Sequence, residues 1–278
     1  MAQTRNEEMG RPVRMFSAAE AYEQSMGSWS RRLAPLFIEF IGGIGDTERV
    51  LDVGCGTGSL ACTILTMSSH AKIVGIDPSG SFIEYARSKN VDPRITFEVG
   101  DAQQLPYLEA SFDKCLALLI MSFISDAPKA AREMRRVTKP GGIVATAMWD
   151  APGAGMELQR AFWNSVVALD PGGAERLRET QQRYRSAEAL ADLWLATGFS
   201  DVQVKALTIS CDFRSFDEVW LYYTKTQGPA GTYVRGLSED RQQALKERLR
   251  QELLGICPDR SISVRARAWA VRGLVPSL

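Results

Sequence analysis

The run VLDVGCGTG at positions 50–58 constrains the fold more than any other stretch of the chain. A short apolar segment carries one acid, Asp52, and ends in alternating glycines, Gly54, Gly56 and Gly58. An amphipathic stretch over 59–67 follows at once. Strand, glycine turn and helix in that order is how an open α/β sheet forms a ligand crevice at the carboxyl end of its first strand. Glycines let the backbone turn sharply and let a ligand lie against bare peptide.

Many nucleotide-binding folds use a glycine turn, so the detail decides. The dinucleotide fingerprint G-x-G-x-x-G needs a glycine where this chain has Ser59, and the third glycine falls instead at Gly58. Asp52 lies inside the strand, just before the turn. A carboxylate aimed at the crevice repels a pyrophosphate and suits a ligand with an amine and a positive charge. That favours a cationic nucleoside over a dinucleotide.

The following segments repeat the pattern. Residues 71–77 read as a second buried strand ending in Asp77, which follows Gly58 by 77 − 58 = 19 positions, room for one crossover helix. An acid at that strand tip is placed to accept both hydroxyls of a ribose. Residues 95–102 read as a third strand ending in Gly100-Asp101-Ala102, and 112–120 as a fourth. A helix over 127–137, a tight turn at Lys139-Pro140-Gly141-Gly142 and a fifth strand over 143–149 complete this part.

Five blocks in register, VLDVGCGTG, VGIDPSGSFIEYAR, GDAQQLPY, SFDKCLALLIMSFISD and REMRRVTKPGGIVATAMWD, cover roughly residues 45–150. The chain resembles the class I S-adenosylmethionine-dependent methyltransferases, in the small-molecule group that includes ubiquinone and menaquinone methyltransferases. The resemblance implies an α/β fold. It is a Rossmann-like, seven-stranded, mostly parallel sheet with helices on both faces, an antiparallel last strand, and helical lid and cap insertions. It implies S-adenosyl-L-methionine as cofactor. Gly54, Gly56 and Gly58 would line its methionine and ribose portions, with Asp52 close to the amino group. Asp77 would hold the ribose hydroxyls, and Pro78 and Phe82 would flank the adenosine. Asp101 and the Ala102 amide would meet the adenine, and Leu118 would lie under the transferring methyl. Aspartates at strand ends also serve as caps and turn formers, and Phe82 alone reads as core rather than as a contact.

Outside these blocks, residues 1–16 read as a disordered tail and 17–278 as one methyltransferase domain. Within it, 17–45 form N-terminal lid helices, 46–150 the cofactor-binding core, and 155–180 and 214–261 helical cap insertions. Tyr22, Met26, Trp29 and Leu33 fall on one helical stripe. The stripe could simply pack on the sheet. As a lid, it would bring Tyr22 and Trp29 to the cofactor, with Arg31 or Arg32 meeting its carboxylate. Residues 186–197 read as the last core helix, with Ser186 as N-cap and Gly198 as stop. Strands over 202–213 and 262–271 would close the sheet as a hairpin. Its connection of 214–261 is far longer than a turn, and such length is usually functional. Trp149, Met156, Phe162, Trp163, Trp220, Tyr222 and Tyr223 are candidates for an aromatic substrate wall, or for plain cap packing.

Composition narrows the function. Lys plus Arg and Asp plus Glu each number 33, which argues against a nucleic-acid surface. The basic clusters at 132–139 and 176–185 read as solvated helix faces. The five cysteines form no C-x-x-C pair and have no partnering histidines, so zinc is not expected. No apolar run approaches a membrane span, and residues 1–16 show no signal peptide, so a cytoplasmic protein is expected. The sole histidine, His70, precedes the second strand, at the end away from the crevice. A histidine base is therefore not expected. Asp126 and Tyr222 are the candidates if a proton must be accepted, and a readily ionised acceptor needs neither. The expected function is methyl transfer to a small apolar or aromatic acceptor. The alternatives are a cofactor-binding regulatory protein without transfer, and an NAD(P)-dependent oxidoreductase, which Gly58, Ser59 and Asp52 oppose. Oligomeric state is not legible.

Overall fold

A computed structural model of the chain describes residues 19–20, 22–150, 155–170, 172, 183–225 and 229–277. The expected tail over 1–16, and the expected cap segment beyond 172, lie outside them. A π-helical turn, Glu23–Gly27, leads into α1, Ser28–Phe40. The core then runs β1 (Arg49–Val53), α2 (Ser59–Met67), β2 (Lys72–Asp77), α3 (Gly80–Lys89), β3 (Ile95–Val99) and β4 (Phe112–Leu118). It continues through α4 (Ala127–Val137), β5 (Thr138–Trp149), α5 (Glu157–Leu169), α6 (Ala187–Ala196) and β6 (Ser200–Phe213). Three helices follow, α7 (Phe216–Lys225), α8 (Pro229–Arg235) and α9 (Glu239–Leu254), before β7 (Ile262–Leu274).

The strands form one seven-stranded sheet in the order β3-β2-β1-β4-β5-β7-β6. β1 to β5 pair in parallel, and β7 is antiparallel to both β5 and β6. The strand order reverses between β1 and β4, which opens a crevice there at the carboxyl edge. The central strands are continuous apolar runs because both faces are covered. On one face α1, α2 and α3 pack with Trp29, Phe37, Ile64 and Ile83 in the core. On the other, α4 and α6 contribute Met134, Leu190 and Trp194. Trp194 is fully buried, and its indole donates to the Val144 carbonyl at 3.0 Å, so its one polar atom is satisfied inside the core.

Helix ends follow their sequence signals. Ser186 accepts from the Ala189 amide and Asp126 from the Lys129 amide, each satisfying an otherwise orphaned N–H. Gly198, at φ +85°, ends the segment after α6. Two expectations are corrected. The Lys139-Pro140-Gly141-Gly142 stretch is not a turn before the strand: Thr138 already pairs with Phe112, and Lys114 next pairs with Ile143. The extra residues form a bulge, with Gly141 at φ +76° bonding to Val275 across it. The 132–139 cluster is not simply a solvated face. Arg136 is half-buried, pairs with Glu133 and donates to the Tyr107 and Leu105 carbonyls at 2.8 and 3.0 Å.

The β6–β7 connection carries α7, α8 and α9, and α9 packs on α5. The apolar faces of these helices pack on one another and on β6 and β7, in one cluster with Leu207, Ile209, Val264 and Ala266. Phe162 of α5 stacks on Tyr223 of α7 at 4.3 Å between centroids, and the Tyr223 hydroxyl donates to the Leu158 carbonyl. Among the described residues, no helix is long and apolar enough to cross a membrane.

Candidate functional site

The glycine turn after β1 is held by the tip of β2. The amides of Gly54 and Cys55 both donate to the Ile76 carbonyl, at 2.7 and 3.1 Å. The Gly56 amide donates to Asp77 Oδ2 at 3.0 Å, and the Ser79 amide to Asp77 Oδ1 at 2.8 Å. Gly54 and Gly56 take φ +68° and +54°, a region that disfavours any Cβ. A Cβ on Gly54 would strike Ile120, whereas one on Gly56 would meet nothing within 4 Å. Gly56 thus faces open space.

That space is a small cleft open to solvent. It is lined by Tyr22 and Ser30 from the N-terminal segment, Asp52 of β1, residues 54–57, Ser59 and Leu60 of α2, and Leu118 and Ile120 after β4. Asp52 is 1% exposed, and its Oδ2 accepts from the Ala61 amide at 3.2 Å. Burial pushes its carboxyl up to about 7; the Ala61 bond lowers it and nearby Asp77 adds to the rise. Burial also raises the Asp77 carboxyl, against the lowering by its two amide bonds. Two buried acids held this way favour a ligand that supplies positive charge and hydroxyl donors.

Of the expected residues, Tyr22, Asp52, Gly54, Gly56 and Leu118 line the cleft, and Gly58 does not. Tyr22 lines the cleft and its ring lies 5.6 Å from that of Phe82, which stands on α3 beyond Asp77. Pro78 follows Asp77 and is exposed. The Gly100 amide donates to the Asp77 carbonyl at 3.1 Å, which sets Asp101 and Ala102 beside the tip of β2. Asp101 is exposed and accepts from the Gln103 amide, while Ala102 is buried. Trp29 does not line the cleft; its neighbour Ser30 does, and the Trp29 ring stacks on Tyr222 at 6.0 Å and meets Trp149 edge-on at 6.0 Å.

Other candidates lie elsewhere. Asp126 is exposed at the N-cap of α4, outside the cleft lining. Arg31 pairs with Glu23, and Arg32 donates to the Ser210 carbonyl; neither lines the cleft. Of the proposed substrate wall, Met156, Phe162, Trp163 and Tyr223 are buried in the packing of the added helices. His70 is exposed, before β2, as its position in the sequence implied.

Several site features escaped the sequence reading. Leu119 adopts φ +66°, a costly conformation for a branched residue, at the end of β4. It is held there by its amide on the Ala147 carbonyl, and Ile120 beyond it packs over Gly54. Thr57 in the glycine turn donates to Glu23, which also pairs with Arg31, so the N-terminal segment is tied to the turn by charge. No local motif signals that tie. Ser59 was visible only as a departure from a fingerprint. Its Oγ is buried with no hydrogen-bond partner among the described residues.

Residues 51–146 match the Methyltransferase domain family. The chain is 39% identical over 104 residues to methyltransferase GfsG of Streptomyces halstedii, a match spanning 36% of this chain and 37% of that protein. It is 32% identical over 172 residues to a demethylmenaquinone methyltransferase of Deinococcus radiodurans, covering 58% of this chain and 71% of that one. The chain belongs to the class I S-adenosylmethionine-dependent methyltransferases. Its fold superposes on phosphoethanolamine N-methyltransferase 2 of Haemonchus contortus with a TM-score of 0.59 at 20% identity, covering 96% of this chain and 57% of the other. The family's cofactor is S-adenosylmethionine, and the residues present fit it. The orphaned Ser59 hydroxyl and the open space beside Gly56 are what a bound polar ligand would fill, and Asp52 suits its cationic methionyl end.

Proposed function

We propose that the chain transfers a methyl group from S-adenosylmethionine to a small apolar or aromatic acceptor. The observation that carries this reading is the cleft itself. Buried Asp52, an open glycine turn and the β4 end share one crevice, and Asp77 holds the Gly56 amide behind it. Trp29, beside the lining residue Ser30, packs with the rings of Trp149 and Tyr222. Asp77 would hold the ribose hydroxyls; Asp101 and Ala102 would meet the adenine, with Pro78, Phe82 and Tyr22 against its faces. Asp52 and Ser59 would hold the methionyl end. When bound, S-adenosylmethionine supplies a methyl group already activated by its sulfonium. The chain's own work is then to exclude water and to hold the acceptor in line, which can lower a barrier by several kcal/mol, on the order of 7 in well-aligned cases.

The demethylmenaquinone methyltransferase relationship supports a small planar acceptor. So does the Trp29–Tyr222 stack, because planar rings present large apolar faces. Tyr222 is the better placed of the two proton acceptors, since Asp126 is occupied as a helix cap. The 155–180 and 214–261 segments, in this reading, form the acceptor's cap within a single domain. A cytoplasmic site of action belongs to the same reading, and all five cysteines are free, as a reducing compartment requires.

The test is to incubate the protein with S-adenosylmethionine and a panel of phenols, quinols, thiols and amines, and to measure S-adenosylhomocysteine. Acceptor-dependent product supports transfer. Tight cofactor binding with no product from any acceptor supports the regulatory alternative.

A further inference from the structure

Gln103 bridges two loops at the carboxyl edge of the sheet, outside the cleft lining. Its Nε2 lies 3.2 Å from both Oδ1 and Oδ2 of Asp101, and its backbone amide donates to Oδ1 at 2.8 Å. At the other end, Oε1 accepts from the Ser125 hydroxyl at 2.9 Å and from the Asp126 amide at 3.1 Å. A backbone N–H can only donate, so the Asp126 contact requires an oxygen opposite it. The side-chain amide is thereby oriented, with its oxygen towards Asp126 and its NH2 group towards Asp101.

Both ends of this bridge are anchored. The Gly100 amide, just before Asp101, donates to the Asp77 carbonyl at 3.1 Å. Beyond Gln103, Leu105 is 3% exposed; its amide donates to Glu133 at 2.9 Å and its carbonyl accepts from Arg136 at 3.0 Å. Asp126 caps α4, the helix that carries Glu133 and Arg136. Gln103 itself is half-buried.

The effect on Asp101 follows from its lone pairs. A carboxylate offers about four acceptor sites. Among the described residues, Gln103 takes two on Oδ1 and one on Oδ2. The site that remains lies on Oδ2, and Asp101 is exposed. An aspartate that only shapes a turn needs no more than the backbone amide two residues on. The Nε2 contacts are additional, and they hold the plane of the carboxylate. An aspartate's last side-chain torsion is broad, so an unheld carboxylate turns easily. A planar base needs it held, because a hydrogen bond weakens steeply once it bends away from the line.

We propose that Gln103 is the positioning residue for adenine recognition: it holds the Asp101 carboxylate in the plane from which Oδ2 accepts the exocyclic amine of the base. This rests on the reading of Asp101 as the adenine partner and deepens it. Gln103 acts through Asp101, so a base without that amine gains nothing from the bridge.

The experiment titrates the full chain by calorimetry with S-adenosylhomocysteine and with its 6-deamino analogue, in which hydrogen replaces the exocyclic amine. The unmodified protein should bind the analogue about tenfold more weakly or worse, since a bond to a charged group is lost. Gln103→Met keeps the side chain's length and removes every polar contact. Gln103→Glu keeps an acceptor for Ser125 and Asp126 and sets a second negative charge on Asp101. Each should lower the preference for the amine about fivefold by weakening S-adenosylhomocysteine. The analogue's affinity should stay within about twofold, which also shows that the variants fold. Asp101→Ala should remove the preference, and adding Gln103→Met to it should change neither ligand further, the non-additivity expected of a residue that acts through its neighbour. An unchanged preference in both Gln103 variants would overturn the proposal. So would an equal loss for both ligands, which marks a role in folding alone. Equal binding of the two ligands by the unmodified protein would overturn it one step earlier, by removing Asp101 from the amine. Absence of S-adenosylhomocysteine binding to the unmodified protein would instead bring down the methyltransferase reading, and this proposal with it.

Discussion

In the proposed cofactor site, Asp52 and Asp77 differ in what they can do. Asp77 already accepts two backbone amides, which fix its orientation before any ligand arrives. Its remaining lone pairs are free for a diol. Asp77→Ala is expected to weaken S-adenosylhomocysteine binding by roughly 1.5–3 kcal/mol, the value of hydrogen bonds to a charged group. Calorimetry checks this, and unchanged affinity would remove Asp77 from the ribose role. Asp52 is a titration element. Its folded value of about 7 lies above the ordinary 3.8, so the folded chain holds one extra proton between those values. Stability from this group therefore falls as pH rises through that window. A cationic ligand reverses the preference and expels the proton. Binding of S-adenosylmethionine should tighten from about pH 5 to about pH 7 and release a proton, read as a buffer-dependent heat. Asp52→Asn should abolish that release; a release that survives in the variant assigns the proton elsewhere. Both acids were legible in the sequence as strand-end residues. Their environment was not, because burial and amide bonding come from segments distant in the chain.

At the scale of elements, the glycine turn and the β4 end both bound the cleft. Gly56 is bound to Asp77 yet open on its other side, so its substitution separates folding from binding. Gly56→Ala is expected to cost about 1–2 kcal/mol in stability, from the φ of +54°, and to abolish cofactor binding by placing a methyl in the cleft. Thermal melts with and without S-adenosylhomocysteine check both halves. A variant that keeps its ligand-induced shift would show that the ligand lies elsewhere. The elements themselves were plain from pattern. The α2 and α4 spans coincide with the stretches over 59–67 and 127–137; α4 carries the Asp126 cap, and α2 starts from the left-handed Gly58 with no side-chain cap. The bulge in β5 was not legible. Pro140 and two glycines signal a break, and nothing local says that Thr138 has already joined the sheet. The positive φ of Leu119 was equally hidden, because the strain is imposed by the Ala147 bond and not by the residue.

Across the whole molecule, what was legible is the half that follows a repeated supersecondary unit. From β1 to β5 each strand ends in a residue of the right chemistry, and the crossover rule places those ends along one edge. The second half is less regular in sequence, and its cap emerges only from packing. The partnership of Phe162 with Tyr223, and of Trp29 with Trp149 and Tyr222, joins segments more than fifty positions apart. Arg185 shows the limit well: it falls in a stretch that reads as a solvated helix face, yet it is half-buried with its Nε on the Trp149 carbonyl. Which nucleotide the crevice accepts is decisive, because an acid at Asp52 and Ser59 in place of a glycine admit a cationic nucleoside and repel a pyrophosphate. The direct measurement is a calorimetric titration of the purified protein with S-adenosylmethionine, S-adenosylhomocysteine and NADH. Saturable binding of the first two, with no heat from NADH, is the result expected. Binding of NADH with no response to either sulfur nucleoside would contradict it.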